Sequence, residues 1–136
     1  MVTFTEAVVN GYNRMFVTDE CATRAEYWWW QLYNILLIMG IGIIVYCASM
    51  VIAKFFAHSP LADLLSIIGV IAAVILYCIH LIAGITITVR RLHDSNHSGA
   101  HWFWQLIPYI GPLILFAFMI MPSDPDSQWR DYEFEE

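Results

Sequence analysis

The chain has 136 residues, 60% of them hydrophobic and 13% charged, with a mean hydropathy of +0.61. That balance is foreign to water-soluble domains and fits one small membrane-embedded unit rather than two domains. Six basic residues against twelve acidic ones give a net charge of -6, which leaves no electrostatic footprint for a nucleic-acid partner.

Residues 1–22 open the chain with Phe4, Val8, Tyr12 and Met15/Phe16 at helical spacing, separated by Glu6, Asn10, Asn13 and Arg14. This pattern predicts a short amphipathic helix, either lying on a membrane surface or packed on the end of a bundle. It lacks the basic start, continuous apolar core and small-residue cleavage site of a secretory leader. Thr23 with Glu26 three residues on forms a capping-box pattern just before the first charge-free run, 27–53. The second run, 64–89, is preceded by Ser59-Pro60 and Asp63, a cap, a first-turn proline and an acid at the positive helix end. Asn96 and Gly99 tolerate left-handed backbone between this run and the third, 102–121.

About 20 apolar residues at ~1.5 Å each cross the ~30 Å hydrocarbon layer, so all three runs are long enough to span. Runs without alternation exclude a barrel, because backbone polar groups in lipid are otherwise satisfied only within a helix. The expected fold is an all-α integral membrane protein: three transmembrane helices within 23–121, an amphipathic N-terminal interfacial helix and an acidic tail over 122–136. Pro108 and Pro112 flank Gly111 in the third run. A kinked full span is preferred there to a re-entrant hairpin turning at Tyr109 to Gly111, because half-spans of about ten residues do not cross. Three crossings set Arg14, Arg24, Arg90 and Arg91 on one side and Lys54 and Arg130 on the other. Four against two makes the first side, with the N-terminus, cytoplasmic. Trp28, Trp29, Trp30, Trp102 and Trp104 form an aromatic belt at the same interface.

In an antiparallel hairpin of the first two spans, residues at equal depth have numbers summing to about 117. Glu26 then lies beside Arg91, Tyr27 beside Arg90, and Arg24 near His93 and Asp94. Arg24, Glu26, Arg90, Arg91 and Asp94 read as an ion-pair network clasping the helix ends, with Arg90, Arg91 and His93 as the alternative, an anion or lipid-headgroup site. The same residues carry a resemblance. Thr23-Arg24-Ala25-Glu26-Tyr27-Trp28, then Arg90-Arg91-Leu92-His93-Asp94, then Ser98-Gly99 before an aromatic apolar run, resembles the domain of unknown function 805 family. The resemblance implies a polytopic bacterial inner-membrane protein without an assigned activity. Asn96 stands where that family usually has glycine, Ala100-His101 interrupts its usual Ser-Gly-Trp-Trp pattern, and Pro122-Ser123-Asp124-Pro125 lacks the glycines common after its last helix.

His93, His97 and His101 recur every four residues, but Asn96 and Gly99 break the helix that would stack them, so no metal site is expected. His80 lies ~15 Å along its helix from Arg90, near the bilayer midplane. An imidazole there marks either a polar path with Asn34 and Gln31 or a hydrogen bond between helices. Cys21, Cys47 and Cys78 show no metal-type spacing and no pairing geometry. Without a nucleotide loop, nucleophile elbow or paired carboxylates within a span, neither an enzyme nor a cofactor is expected. Small residues such as Gly40, Gly42, Gly69, Ala73 and Gly84 suit close helix approach. The expected partners are the lipid bilayer and either further copies of the chain or another membrane protein. The leading functional expectation is a structural or interaction module. Its rival is a small transporter or channel component.

Overall fold

Long stretches of apolar residues bounded by caps become helices that run past the charge-free limits by about a turn. The computed structural model describes residues 2–55 and 59–130, which form α1 (Phe4–Asn13), α2 (Arg24–Phe55), α3 (Pro60–Asp94), a 3-10 helix η1 (Gly99–Leu106) and α4 (Ile110–Ile120). No strand occurs among the described residues. Both α2 and α3 are long and apolar enough to cross a membrane, and no residue in the most apolar stretch of either is buried. Two compact units are present, one of Leu32–His80 and the other of Met1–Gln31 with Leu81–Glu136.

Within Leu32–His80, α3 begins where Pro60 supplies a first-turn residue needing no amide partner, and Ser59 O accepts from the Ala62 and Asp63 amides at 2.9 and 3.3 Å. Ser49 and Ser66 return their hydroxyls to carbonyls of their own helices, Tyr46 O and Ala62 O, both at 2.8 Å. These side chains therefore add little unsatisfied polarity to an apolar surface. The Tyr33 and His80 rings lie 5.7 Å apart, one turn from the expected register of this hairpin.

In the other unit, α1 starts with a complete capping box: the Glu6 amide donates to Thr3 Oγ1 at 3.3 Å and the Thr3 amide to the Glu6 carboxylate at 2.7 Å. The bonds from Thr3, backbone first, hold the Glu6 carboxyl below its ordinary value. A carboxyl lowered by folding stabilises fully above the ordinary carboxylate range, and that contribution drains away as pH falls through the lowered value. Amide exchange in the first turn of α1 is accordingly expected to accelerate on acidification through that range, and Glu6→Gln to flatten the dependence.

One face of α1 packs against the start of α2. Ala7 and Gly11 are buried, and a Cβ on Gly11 would meet Cε3 and Cζ3 of Trp30 at 2.3 Å, so only glycine lets the helix approach this ring. Tyr12 stands edge-on to Trp30 at 5.2 Å and Phe4 edge-on to Trp29 at 5.8 Å. Two of the belt tryptophans thus seat α1, while Phe16 stays exposed.

The third run departs from the expected kinked helix. Over 102–121 the chain forms η1, a turn with Tyr109 at φ 67°, and an α4 of only 11 residues. Both ends return to the end of α3. Gly99 packs on Val89 and His93 at one end, and the Met119 and Met121 carbonyls accept from Arg91 at the other. Pro108 and Pro112 are the physical reason, since each removes an amide donor and crowds the preceding turn. The two arms pack so closely that a Cβ on Gly111 would sit 1.7 Å from the Trp104 carbonyl oxygen.

Candidate functional site at the paired helix ends

The chain is tied to α3 on both sides of the α2 cap, Thr23. The Glu26 amide donates to Thr23 Oγ1 at 3.2 Å and fixes the first turn of α2, while the Ala22 amide donates to Arg90 O at 3.0 Å. Half of the expected capping box is therefore formed, and the Glu26 carboxylate turns instead to Arg90, Oε1 to Nη2, at 3.4 Å. Glu20 reaches the same Arg90 nitrogen at 3.4 Å and Arg14 at 2.5 Å. Cys21 O lies 3.5 Å from that Nη2 as well. Arg90 is buried, so two carboxylates and a carbonyl replace its water.

Arg91, on the next position, points elsewhere because successive residues are rotated by about 100° around a helix. Its guanidinium pairs with Asp94 one turn on and donates to Met119 O and Met121 O at the end of α4. Asp94 also accepts from Ser123 Oγ and from Arg130 Nη2, and its backbone oxygen accepts from the Asp124 amide at 2.8 Å. Arg24 donates to Ile120 O at 3.5 Å.

All five residues expected in the clasp therefore lie in one unit, but their pairing is corrected. Glu26 holds Arg90 rather than Arg91, Arg91 holds Asp94, and Arg24 reaches α4 rather than His93 and Asp94. Equal depth predicts neighbours only when the helix faces also match, and the end of α4 occupies the face toward which Arg91 and Arg24 turn. Sequence reasoning did not reach Arg14, Glu20, Ser123, Ser127 and Arg130. The available signal was the run of hydrogen-bonding residues just beyond the last apolar helix.

The tail also completes the end of α3. The His97 amide donates to Leu92 O at 2.9 Å and the Asn96 amide to His93 O at 3.0 Å, with Asn96 in the left-handed region at φ 59°. This is a Schellman termination. Ser127 Oγ adds a bond of 2.5 Å to His93 O, so the orphan carbonyls that end any helix find donors here. Asn96→Gly is expected to leave stability unchanged or raise it, whereas Asn96→Val costs about 1–2 kcal/mol from left-handed strain on a branched residue. Chemical unfolding of the detergent-solubilised protein measures the difference.

The three spaced histidines do not converge. His93 stacks flat on Trp129 at 4.3 Å, whereas His97 and His101 meet edge-on at 5.6 Å, each beside Phe118. Among the described residues no three His, Cys, Asp or Glu side chains are grouped to hold a metal ion. Asn34 and His80 belong to the unit Leu32–His80, and Gln31 to the other. An open cavity of about 370 Å³ lies along the tail, lined by Ser95, Met121, Pro122, Ser123, Asp124 and Pro125.

The residues that build this cluster fall almost wholly within one matched segment. A family model described as protein of unknown function (DUF805) matches residues 15–130. The chain belongs to the DUF805 family. The matched segment contains the start of α2, the end of α3, the η1 and α4 arms and the tail to Arg130, leaving α1 outside it. No curated protein and no solved structure matches this DUF805 chain.

Proposed function

We infer that this DUF805 protein is a non-enzymatic, multi-pass membrane protein that serves as a structural or interaction module in a membrane assembly. The observation that carries the reading is the use of its charged groups. Arg90, Arg91, Glu26 and Asp94 are buried and spend their hydrogen bonds on one another and on neighbouring carbonyls, joining helix ends. The apolar stretches of α2 and α3 are meanwhile exposed along their length, as lipid or another transmembrane helix requires. At helical rise the 32 residues of α2 reach about 48 Å, more than the ~30 Å hydrocarbon layer.

The proposed setting is a bacterial inner membrane, with the N-terminus and α1 at its cytoplasmic face. The proposed partners are further copies of the chain or another membrane protein. The clasp reading has more support than headgroup binding by Arg90, Arg91 and His93, because both guanidinium groups face protein acceptors and His93 is covered by Trp129. The contact of His80 with Tyr33 supports a role in helix association over a polar path through Asn34 and Gln31. Extraction in mild detergent followed by native mass spectrometry tests the proposal. A reproducible oligomer or a stoichiometric membrane partner is the expected result, and a strictly monomeric protein without one overturns it.

A further inference from the structure

The arms of the third apolar run, η1 and α4, are the same length by different geometries. Eight residues of 3-10 helix at ~2.0 Å and eleven of α-helix at ~1.5 Å each reach about 16 Å, half the hydrocarbon thickness. Their direction is set by α2. Arg24 contacts Ile120 O, and one turn further into α2 Trp28 meets the Phe116 ring at 5.9 Å. The pairs 24/120 and 28/116 keep a constant sum, so α4 runs antiparallel beside the first turns of α2. Leu115 and Met119 on the inner face of α4 close on Leu92 of α3, with Tyr27, Trp102 and Phe118 around them. The opposite face is apolar and open: Leu106 is 70% exposed, Tyr109 88% and Leu113 69%. No charged residue occurs from Trp102 to Met121.

We propose that residues 99–121 form a re-entrant hairpin whose exposed face is covered by lipid acyl chains, entering and leaving the bilayer on the side that holds Arg24, Arg91 and the tail. The inference rests on the membrane reading above and deepens it. Broken backbone in hydrocarbon is costly unless its polar groups are satisfied, and this turn is built to need few partners. Pro108 and Pro112 have no amide hydrogen. The Ile107, Ile110 and Gly111 amides donate to Trp104 O, Pro108 O and Ile107 O at 2.9, 2.9 and 3.0 Å. Of residues 107–112 only the Tyr109 amide stands outside these bonds. The charge pattern agrees. With the tail returned, Arg14, Arg24, Arg90, Arg91 and Arg130 share one side and Lys54 alone is left for the other, a stronger cytoplasmic bias than a full third span gives.

Single cysteines at exposed Thr18 and Gln128 and at half-buried Ser59 test this on a background in which Cys21, Cys47 and Cys78 are alanine. Thr18→Cys, Ser59→Cys and Gln128→Cys are reacted with a membrane-impermeant maleimide in intact spheroplasts and in inverted vesicles. Thr18→Cys and Gln128→Cys are expected to react from one side and Ser59→Cys from the other. Gln128→Cys reacting with Ser59→Cys means a full span and overturns the hairpin alone. Ser59→Cys reacting with Thr18→Cys removes the two crossings and the membrane reading with them. A bimane at Leu106→Cys in vesicles of phosphatidylcholine carrying nitroxides at graded depths then separates insertion from surface lying. Greater loss of fluorescence to the deep acyl nitroxide is the expected result, and greater loss to the headgroup nitroxide overturns the proposal.

Discussion

Replacing Asp94 with alanine is expected to destabilise the protein by about 3–5 kcal/mol, the cost of leaving one charge of a buried pair without its partner. The carboxylate accepts from Arg91, Ser123 and Arg130 at once, so a single truncation strands a fully buried guanidinium and frees the tail. Asp94→Asn keeps the shape and one acceptor and is expected to lose less. Arg91→Met with Asp94→Leu removes both charges and is expected to recover much of the loss, because matched apolar replacements of buried pairs are commonly near neutral. Reversible unfolding in mixed micelles, followed by circular dichroism, measures all three. If Asp94→Ala unfolds like the parent, the cluster is not what holds these helix ends.

Gly111→Ala is expected to cost about 3 kcal/mol or more, at the top of the range for overpacking. The obstruction is main chain: the added Cβ would stand 1.7 Å from Trp104 O and 2.7 Å from Trp104 C, and neither atom can turn aside as a side-chain tip does. The arms η1 and α4 must separate, which loosens the packing of Trp102 and Phe118 against the cluster of Leu92, Leu115 and Met119. Gly40→Ala is the matched control, since nothing lies within 4 Å of its new Cβ. It is expected to be neutral or slightly stabilising, as removing glycine from a helix interior favours the helix by roughly 0.5–1 kcal/mol. Near-ultraviolet dichroism of the tryptophans distinguishes local separation of the arms from global unfolding.

Much of the helical order was legible in the residues. Charge-free runs bounded by Thr23 and by Ser59-Pro60 place α2 and α3 to within about a turn, because capping chemistry is local. Asn96 likewise announced its left-handed turn. The constant-depth rule brought Arg24, Glu26, Arg90, Arg91 and Asp94 to one end but mispaired them, since a register fixes height and not azimuth. The break in the third run was less legible, for a different reason. Apolar length and two prolines are compatible with either a continuous bent helix or two arms, and what ties the end of α4 to α2 and α3 is long-range contacts from Arg24 and Arg91 to carbonyls about 30 residues or more away. The tail was opaque because Ser123, Ser127 and Arg130 acquire meaning only from their partners on α3.

The closing of α3 by residues 119–130 has a consequence for biogenesis. Synthesis delivers Arg91 and the last carbonyls of α3 well before the peptide that covers them, so in a nascent chain halted ahead of Met119 the Arg91 guanidinium keeps Asp94 but lacks the Met119 and Met121 carbonyls. Emergence of residues 119–130 is then the step at which these buried polar groups gain their remaining partners. A chain truncated ahead of Ser123 loses the bonds of Ser123, Ser127 and Arg130 to α3 and is expected to be degraded faster than the full chain, as pulse-chase labelling measures.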